Sequence, residues 1–316
     1  MVRCDECLRA NPPTRGACLY CGAALGKSPA KAEPPKPQLR PLEKWEHGFN
    51  NILTGRAAAQ LSRTTMEQAA ALVKLNSADL ARIINSETPL PVARAANREE
   101  AELIQQNLEP LGLQTRIVSD ESLGENQPQR LRTVDVFPEM LALHPTSGEP
   151  TVIAWGDLRL LVAGRLFEKQ IEVKEQRRRG SEGHIVDARE TTSDEAVLDL
   201  YTGERQVSWR ILGYNFDFSC LGSIKSLLAG ENFTQLTRSI RERATLAEFD
   251  DSYNRVRRNL EFVWPSEQQT SSLGWRRERA GKFSTSEMSL TSNEPQFTRY
   301  SRLRHFLKFH PTKNSS

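Results

Sequence analysis

Cys4, Cys7, Cys18 and Cys21 form two Cys-x-x-Cys pairs with ten residues between them, in "CDECLRANPPTRGACLYCGAAL". About twenty residues cannot bury enough apolar surface to hold a fold by themselves, so chemistry at these four side chains has to do it. A Cys-x-x-Cys pair makes a tight knuckle that points two sulfurs at one ion, and two knuckles on a short loop complete a tetrahedral shell of thiolates, which suits zinc. Gly22 follows the last cysteine, where a knuckle needs backbone freedom. The alternatives are two disulfides or free thiols. With all four positions filled by Cys4, Cys7, Cys18 and Cys21, the expected Zn2+ has no open site for water and is structural rather than catalytic.

The pattern resembles short bacterial zinc ribbons of the type "CPxCGxxNPPxxxxCxxCGxxL". Asn11, Pro12, Pro13, Gly22 and Leu25 stand where that pattern has them, whereas Leu8 replaces its usual Gly. The fifth cysteine, Cys220 in "FDFSCLGS", has no neighbouring His or Lys to activate it and reads as a small packing residue.

The chain has 316 residues, of which 38% are hydrophobic, and a net charge of +3; a chain this long implies two or three domains. The charge is uneven. Residues 275–316 carry nine Lys/Arg against three Glu, so the rest of the chain sums to −3. "MVRCDECLRA" has no apolar signal-peptide core. The most apolar run, "TVIAWGDLRLLVAGRLF", is broken by Asp157, Arg159 and Arg165, so no transmembrane segment is expected. A soluble protein of the cytoplasm, where thiols stay reduced, follows.

Behind a 1–26 ribbon, residues 27–42 read as a Pro-rich linker, with five prolines in "SPAKAEPPKPQLRP". Residues 43–124 read as a small α+β unit. "HGFNNILT" is a strand. "TMEQAAALVKLN" and "SADLARIINS" are helices, the first capped by Thr65. "PLPVARAA" is a strand, and "NREEAELIQQNLEPLG" is a helix capped by Asn97, with Glu99 and Glu100 in its first turn, Ala101, Ile104 and Leu108 as its buried stripe, and Gly112 at its end. "LQTRIVSD" is the last strand. This βααβαβ order resembles the C-terminal domain of the bacterial ribosomal stalk protein and the related Clp protease adaptor, a resemblance that implies a protein-binding fold and carries over no site residues.

Residues 130–264 read as a β-rich domain with C-terminal helices. "RLRTVDVFPEMLALHP", "TVIAWGDLRLLVAGRLF" and "KQIEVKEQ" alternate as strands do. "RRRGSEGHIVDARETTSDE" reads as a long exposed loop, "AVLDLYTGERQVSWRIL" as a hairpin turning at "TGERQ", and "YNFDFSCLG" as a strand. "GENFTQLTRSIRERA" is a helix with Asn232 as cap, and "TLAEFDDSYNRVRRNLEFVW" a further helix. Trp155, Asp157, Leu158 and Gly164 match an "xxWxDLxLLVxGRL" strand, and with the closing helix they resemble bacterial pleckstrin-homology-like domains, which implies binding of proteins or membranes. Residues 265–316 read as a basic, partly irregular tail that wraps the β domain through Trp275, Phe297, Tyr300 and Leu303. Together the parts give an α+β multidomain chain, and they resemble bacterial multidomain zinc-ribbon proteins to which no activity attaches.

No phosphate loop, dinucleotide fingerprint, HExxH or GxSxG is present. His47, His144, His184, His305 and His310 lack ligand spacing, and His305 and His310 read as solvated. Asp250/Asp251 read as a solvated helix face. The expectation is a non-enzyme whose partners are proteins. The second reading is a nucleic-acid- or ribosome-associated protein using the ribbon and the tail. There, basic residues from Arg276 to Arg304 are interleaved with Trp275, Phe283, Phe297 and Tyr300.

Overall fold

Asn97 caps a helix as its sequence context demands: its side-chain oxygen accepts the Glu100 amide at 2.8 Å, and Ala101, Ile104 and Leu108 are buried on the face that follows. In the computed structural model of the chain, residues 2–12, 15–25, 39–43, 46–55, 61–124, 127–178, 183–203, 207–279 and 282–311 are described. Most of the Pro-rich linker and the centre of the "TGERQ" turn lie outside these residues. Residues 1–38 and 39–316 are two units. The first holds a two-stranded antiparallel ribbon, β1 (Val2–Arg3) and β2 (Ala10–Asn11).

The second unit is mixed α/β. It begins β3 (Phe49–Leu53), α1 (Arg63–Leu72), α2 (Ser77–Asn85), β4 (Leu90–Ala95), α3 (Arg98–Leu108) and β5 (Thr115–Ser119). Strands β4-β3-β5 form an antiparallel sheet with β3 central. α1 is capped by Ser62, whose hydroxyl accepts the Thr65 amide at 3.1 Å, so Thr65 lies inside the first turn rather than at the cap. A short 3-10 turn follows α3, and Gly112 ends it at φ 82°.

A ten-stranded sheet follows. It contains β6 (Gln129–Val136), β7 (Met140–Pro145), β8 (Thr151–Ala154), β9 (Leu158–Arg178), β10 (His184–Thr202), β11 (Ser208–Leu212), β12 (Glu248–Asp250), β13 (Glu267–Ser272), β14 (Arg276–Arg279) and β15 (Lys282–Ser292). The order is β13-β15-β9-β10-β11-β6-β7-β8, with β12 beside the start of β9 and β14 beside β15. Helices α4 (Ala229–Arg243), α5 (Tyr253–Leu260) and α6 (Glu294–Phe309) cover it.

Successive side chains of a strand point to opposite faces, and here both faces are buried at the sheet's centre. Leu161, Leu198, Leu200, Trp209 and Ile211 pack with Trp155 and with Phe233, Leu236 and Ile240 of α4. Their neighbours Leu160, Val162, Val197, Tyr201 and Leu212 pack with Tyr253, Val256 and Leu260 of α5 and with Phe297, Tyr300 and Leu303 of α6. That second core runs on without a break into Ile52, Val92, Ile104 and Val118 of the small α/β part. Fully buried Trp264 stands at the join: its indole N–H donates to Asn50 Oδ1 at 2.9 Å, and its carbonyl accepts the Gln296 amide at 2.7 Å.

Gly164 lies where β9 meets this core. A Cβ there would come 2.7 Å from Phe297 Cε2 and 2.9 Å from Tyr253 Cδ1, and those two rings already meet edge to face. Gly164→Ala is therefore expected to destabilise the fold by about 1–3 kcal/mol through overpacking, read as a lower urea midpoint.

Several segments differ from the sequence reading. Residues 184–195, expected as part of a long loop, continue β10 and pair with β9. The tail contains β13, β14, β15 and α6, not irregular chain. Phe297, Tyr300 and Leu303 are core residues there, as their apolar character required, whereas Trp275 is partly exposed. "YNFDFSCLG" ends in a 3-10 turn (Phe218–Ile224) rather than a strand, broken by Gly222 at φ 54°. The helix expected over 245–264 is shortened to α5, because Glu248–Asp250 pair in parallel with β9. Asp250 is thus buried and accepts the Tyr300 hydroxyl at 2.9 Å, not solvated. Asn232 is inside α4; its amide group binds both the N–H and the C=O of Ser226 and pins the chain entering the helix. His305 is also buried, stacked on Tyr201 at 4.8 Å with its Nε2 2.8 Å from the Gly203 carbonyl. Burial lowers its pKa.

The outer halves of β9 and β10 (168–178 and 184–194), with β13, β14 and β15, form an arm. None of its described residues is buried. Eleven residues of strand extend about 37 Å at 3.4 Å per residue. The ladder is continuous: β15 pairs with β9 from Lys282↔Arg178 to Ser292↔Glu168, and β13 pairs with β15 from Glu267↔Ser292 to Ser272↔Glu287. Cross-strand polar contacts support it, such as Ser286 Oγ to Glu172 at 3.1 Å and Lys169 to Glu190 at 2.9 Å.

Candidate metal centre

The structure brings Cys4, Cys7, Cys18 and Cys21 together. Each knuckle closes with a backbone hydrogen bond to its first cysteine: Leu8 N–H to Cys4 C=O at 2.8 Å, and Gly22 N–H to Cys18 C=O at 3.1 Å. Cys4 Sγ lies 3.6 Å from Cys21 Sγ, Cys7 Sγ lies 3.5 Å from Cys18 Sγ, and all four sulfurs fall within 4.8 Å of one another. Four thiolates about 2.3 Å from one tetrahedral ion stand about 3.8 Å apart, so the donor set fits a metal ion. Cys4 and Cys18 are buried, Cys7 is half-buried and Cys21 is exposed.

Sequence reasoning placed Asn11 in the ribbon pattern without giving it a task. Its amide N–H₂ donates to Cys18 Sγ at 3.4 Å, and its carbonyl oxygen accepts the Leu19 amide at 2.9 Å. It therefore ties the strand after the first knuckle to the second knuckle. Burial raises the Cys18 pKa, but N–H groups of Tyr20 and Cys21 and the Asn11 amide outweigh it and bring the thiol down to about 6. At Cys21 the Ala23 N–H favours the thiolate, yet burial and the three neighbouring thiols together push it up to about 12. Four sulfurs this close ionise together only around a cation.

Leu8, which departs from the usual Gly, takes the left-handed conformation that Gly22 takes in the second knuckle, with φ 55° against 75°. A side chain costs about 1 kcal/mol there. Leu8 is exposed and loses little packing on truncation, so Leu8→Gly is expected to tighten metal binding about fivefold in competition with a chelator, the equivalent of ~1 kcal/mol.

Cys220 is half-buried beside the α4 core, and burial pushes its thiol up to about 11, the direction of an unreactive packing cysteine. His310 is exposed at the end of α6. No helix among the described residues is long and apolar enough to cross a membrane. Comparison with known protein families, with curated proteins and with solved structures gives no match.

Proposed function

We propose that this chain is a non-catalytic, zinc-binding adaptor of the cytoplasm that acts through protein–protein contact. The observation that carries the reading is the surface of the knuckles. Leu8, Leu19 and Tyr20 are exposed at 61, 50 and 57%, on a knob whose own apolar core is little more than Cys4, Cys18 and Leu25. Three large apolar side chains exposed on so small a fold offer a surface that a protein partner can cover. Zinc is the ion that an all-thiolate tetrahedral shell favours, and a shell closed by four protein ligands leaves no position for a reacting water. Reduced thiols at this spacing suit the cytoplasm.

The rest of the chain supports binding rather than chemistry. The order β3-α1-α2-β4-α3-β5 is that of the stalk-protein and Clp-adaptor domains it resembles in sequence. The strands closed by α4 are consistent with the pleckstrin-homology-like resemblance.

The test is a pull-down with the full chain and with Leu19→Ser/Tyr20→Ser, each with nuclease, alongside metal analysis. The expected result is a protein partner that survives nuclease and is lost in the variant while one zinc per chain is retained. Recovery of the same partner by both proteins would overturn the knuckle surface as the docking site.

A further inference from the structure

The far end of the arm gathers cations from strands distant in sequence. Arg277 on β14, Phe283 on β15 and Arg177 on β9 stand directly opposite one another across three neighbouring strands, and opposite residues share a face. The Arg177 guanidinium lies 4.2 Å from the Trp275 ring centroid and 5.9 Å from that of Phe283. Arg276, opposite Ser284, and Arg279, opposite Lys282, belong to the register positions between, and so to the other face. Arg177, Arg276, Arg277 and Arg279 are all exposed. None of the four makes an ion pair among the described residues, although elsewhere in the fold arginines such as Arg82, Arg94, Arg165 and Arg210 are paired with carboxylates. Glu175 lies on the face of Arg177 and beside Trp275 near Gly183, and Glu287 follows farther along the same face.

We propose that the end of this arm binds single-stranded nucleic acid. Arg177 and Arg277, on one face but two strands apart and so about 10 Å from each other, and Arg276 and Arg279 on the other face offer several cationic sites to a phosphate backbone. A partly exposed indole and Phe283 on the same pleated face offer stacking surfaces to unpaired bases, which every base can use. Cations on both faces of a thin sheet favour a flexible polyanion that passes over its edge. A flat anionic membrane meets only one face. This site lies in residues 39–316 and uses none of the knuckle residues, which belong to the other unit, so the protein-docking and nucleic-acid readings rest on separate surfaces.

The experiment is fluorescence anisotropy of a labelled oligouridylate with the full-length protein across a salt series. Four phosphate contacts give a log–log salt slope of about −3, a loss of about 50-fold between about 50 and 200 mM salt. Arg276→Glu/Arg277→Glu/Arg279→Glu is expected to abolish binding, and Trp275→Ala to weaken it about tenfold, both with an unchanged circular dichroism spectrum. A pelleting assay with phosphatidylserine vesicles is run in parallel. The proposal is overturned if the wild-type chain leaves the oligonucleotide free, if binding does not fall with salt, if the triple variant binds as well as wild type, or if vesicles are bound and the oligonucleotide is not. Loss of the knuckle partner in Leu19→Ser/Tyr20→Ser leaves this result untouched, so the two readings fail separately.

Discussion

Asp199→Ala is expected to destabilise residues 39–316 by about 3–5 kcal/mol. Asp199 and Arg210 are cross-strand partners on β10 and β11, exposed at 0 and 1%. The guanidinium donates Nε–H to Oδ1 at 2.7 Å and Nη2–H to Oδ2 at 2.8 Å. Its free Nη1 reaches Glu294 Oε1 at 3.0 Å, and Phe297 lies beneath it with its ring centroid 5.1 Å from the carbon. Burial disfavours the charged guanidinium, but Asp199 and Glu294 more than offset it and raise the Arg210 pKa. Removing the carboxylate leaves a buried cation with Glu294 as its nearest acid, a group that is itself shared with Arg130. The expected readout is a lower urea midpoint with an unchanged slope. Replacing both partners, as Asp199→Leu/Arg210→Met, is expected to recover most of the loss, because a well-packed apolar pair carries no desolvation cost. If the single and double variants were equally unstable, packing at this site rather than the orphaned charge would be the cause.

Cys18→Ser/Cys21→Ser is expected to remove the metal and unfold residues 2–25 while leaving residues 39–316 folded. Among its described residues the ribbon unit has three buried apolar residues, Cys4, Cys18 and Leu25, and one two-residue ladder. Structural zinc contributes roughly 10–16 kcal/mol to peptides of this kind, far beyond what three buried side chains supply at about 25 cal/mol per Å². Metal analysis is expected to fall from one equivalent to none. Amide resonances of the ribbon are expected to collapse to random-coil positions, while the thermal transition of the larger unit stays where it was. A variant that keeps its metal, or one in which both units unfold together, would contradict this account.

The residues that were legible in the sequence are those whose partners lie nearby or whose chemistry is specific. Two Cys-x-x-Cys pairs converge because four thiols near one ion have one practical arrangement. The βααβαβ order was readable because helices α1 to α3 carry apolar stripes at their own period, and Asn97 and Gly112 mark the two ends of α3 and its trailing turn. Leu8 was legible as a departure from a pattern. That it adopts the left-handed conformation regardless was decided by the knuckle's hydrogen bond to Cys4.

The arm and α6 were decided by tertiary structure. A strand announces itself when one face is buried, and "HIVDARETTSD" in β10 and "KFSTSEMSLTS" in β15 bury neither, so their alternation carries no signal. They are strands because β9 offers an edge on each side: β10 folds back on it as a hairpin, and β15 pairs with it across more than a hundred positions. Helix α6 reads as polar, yet Gln296, Ser301 and His305 are buried. Their partners come from elsewhere in the chain: the Tyr253 hydroxyl donates to Gln296, Tyr201 and Ser301 join hydroxyls at 2.8 Å, and the Gly203 carbonyl meets His305. Local sequence records which groups need a partner. Only the packed fold decides whether water or a distant strand supplies it.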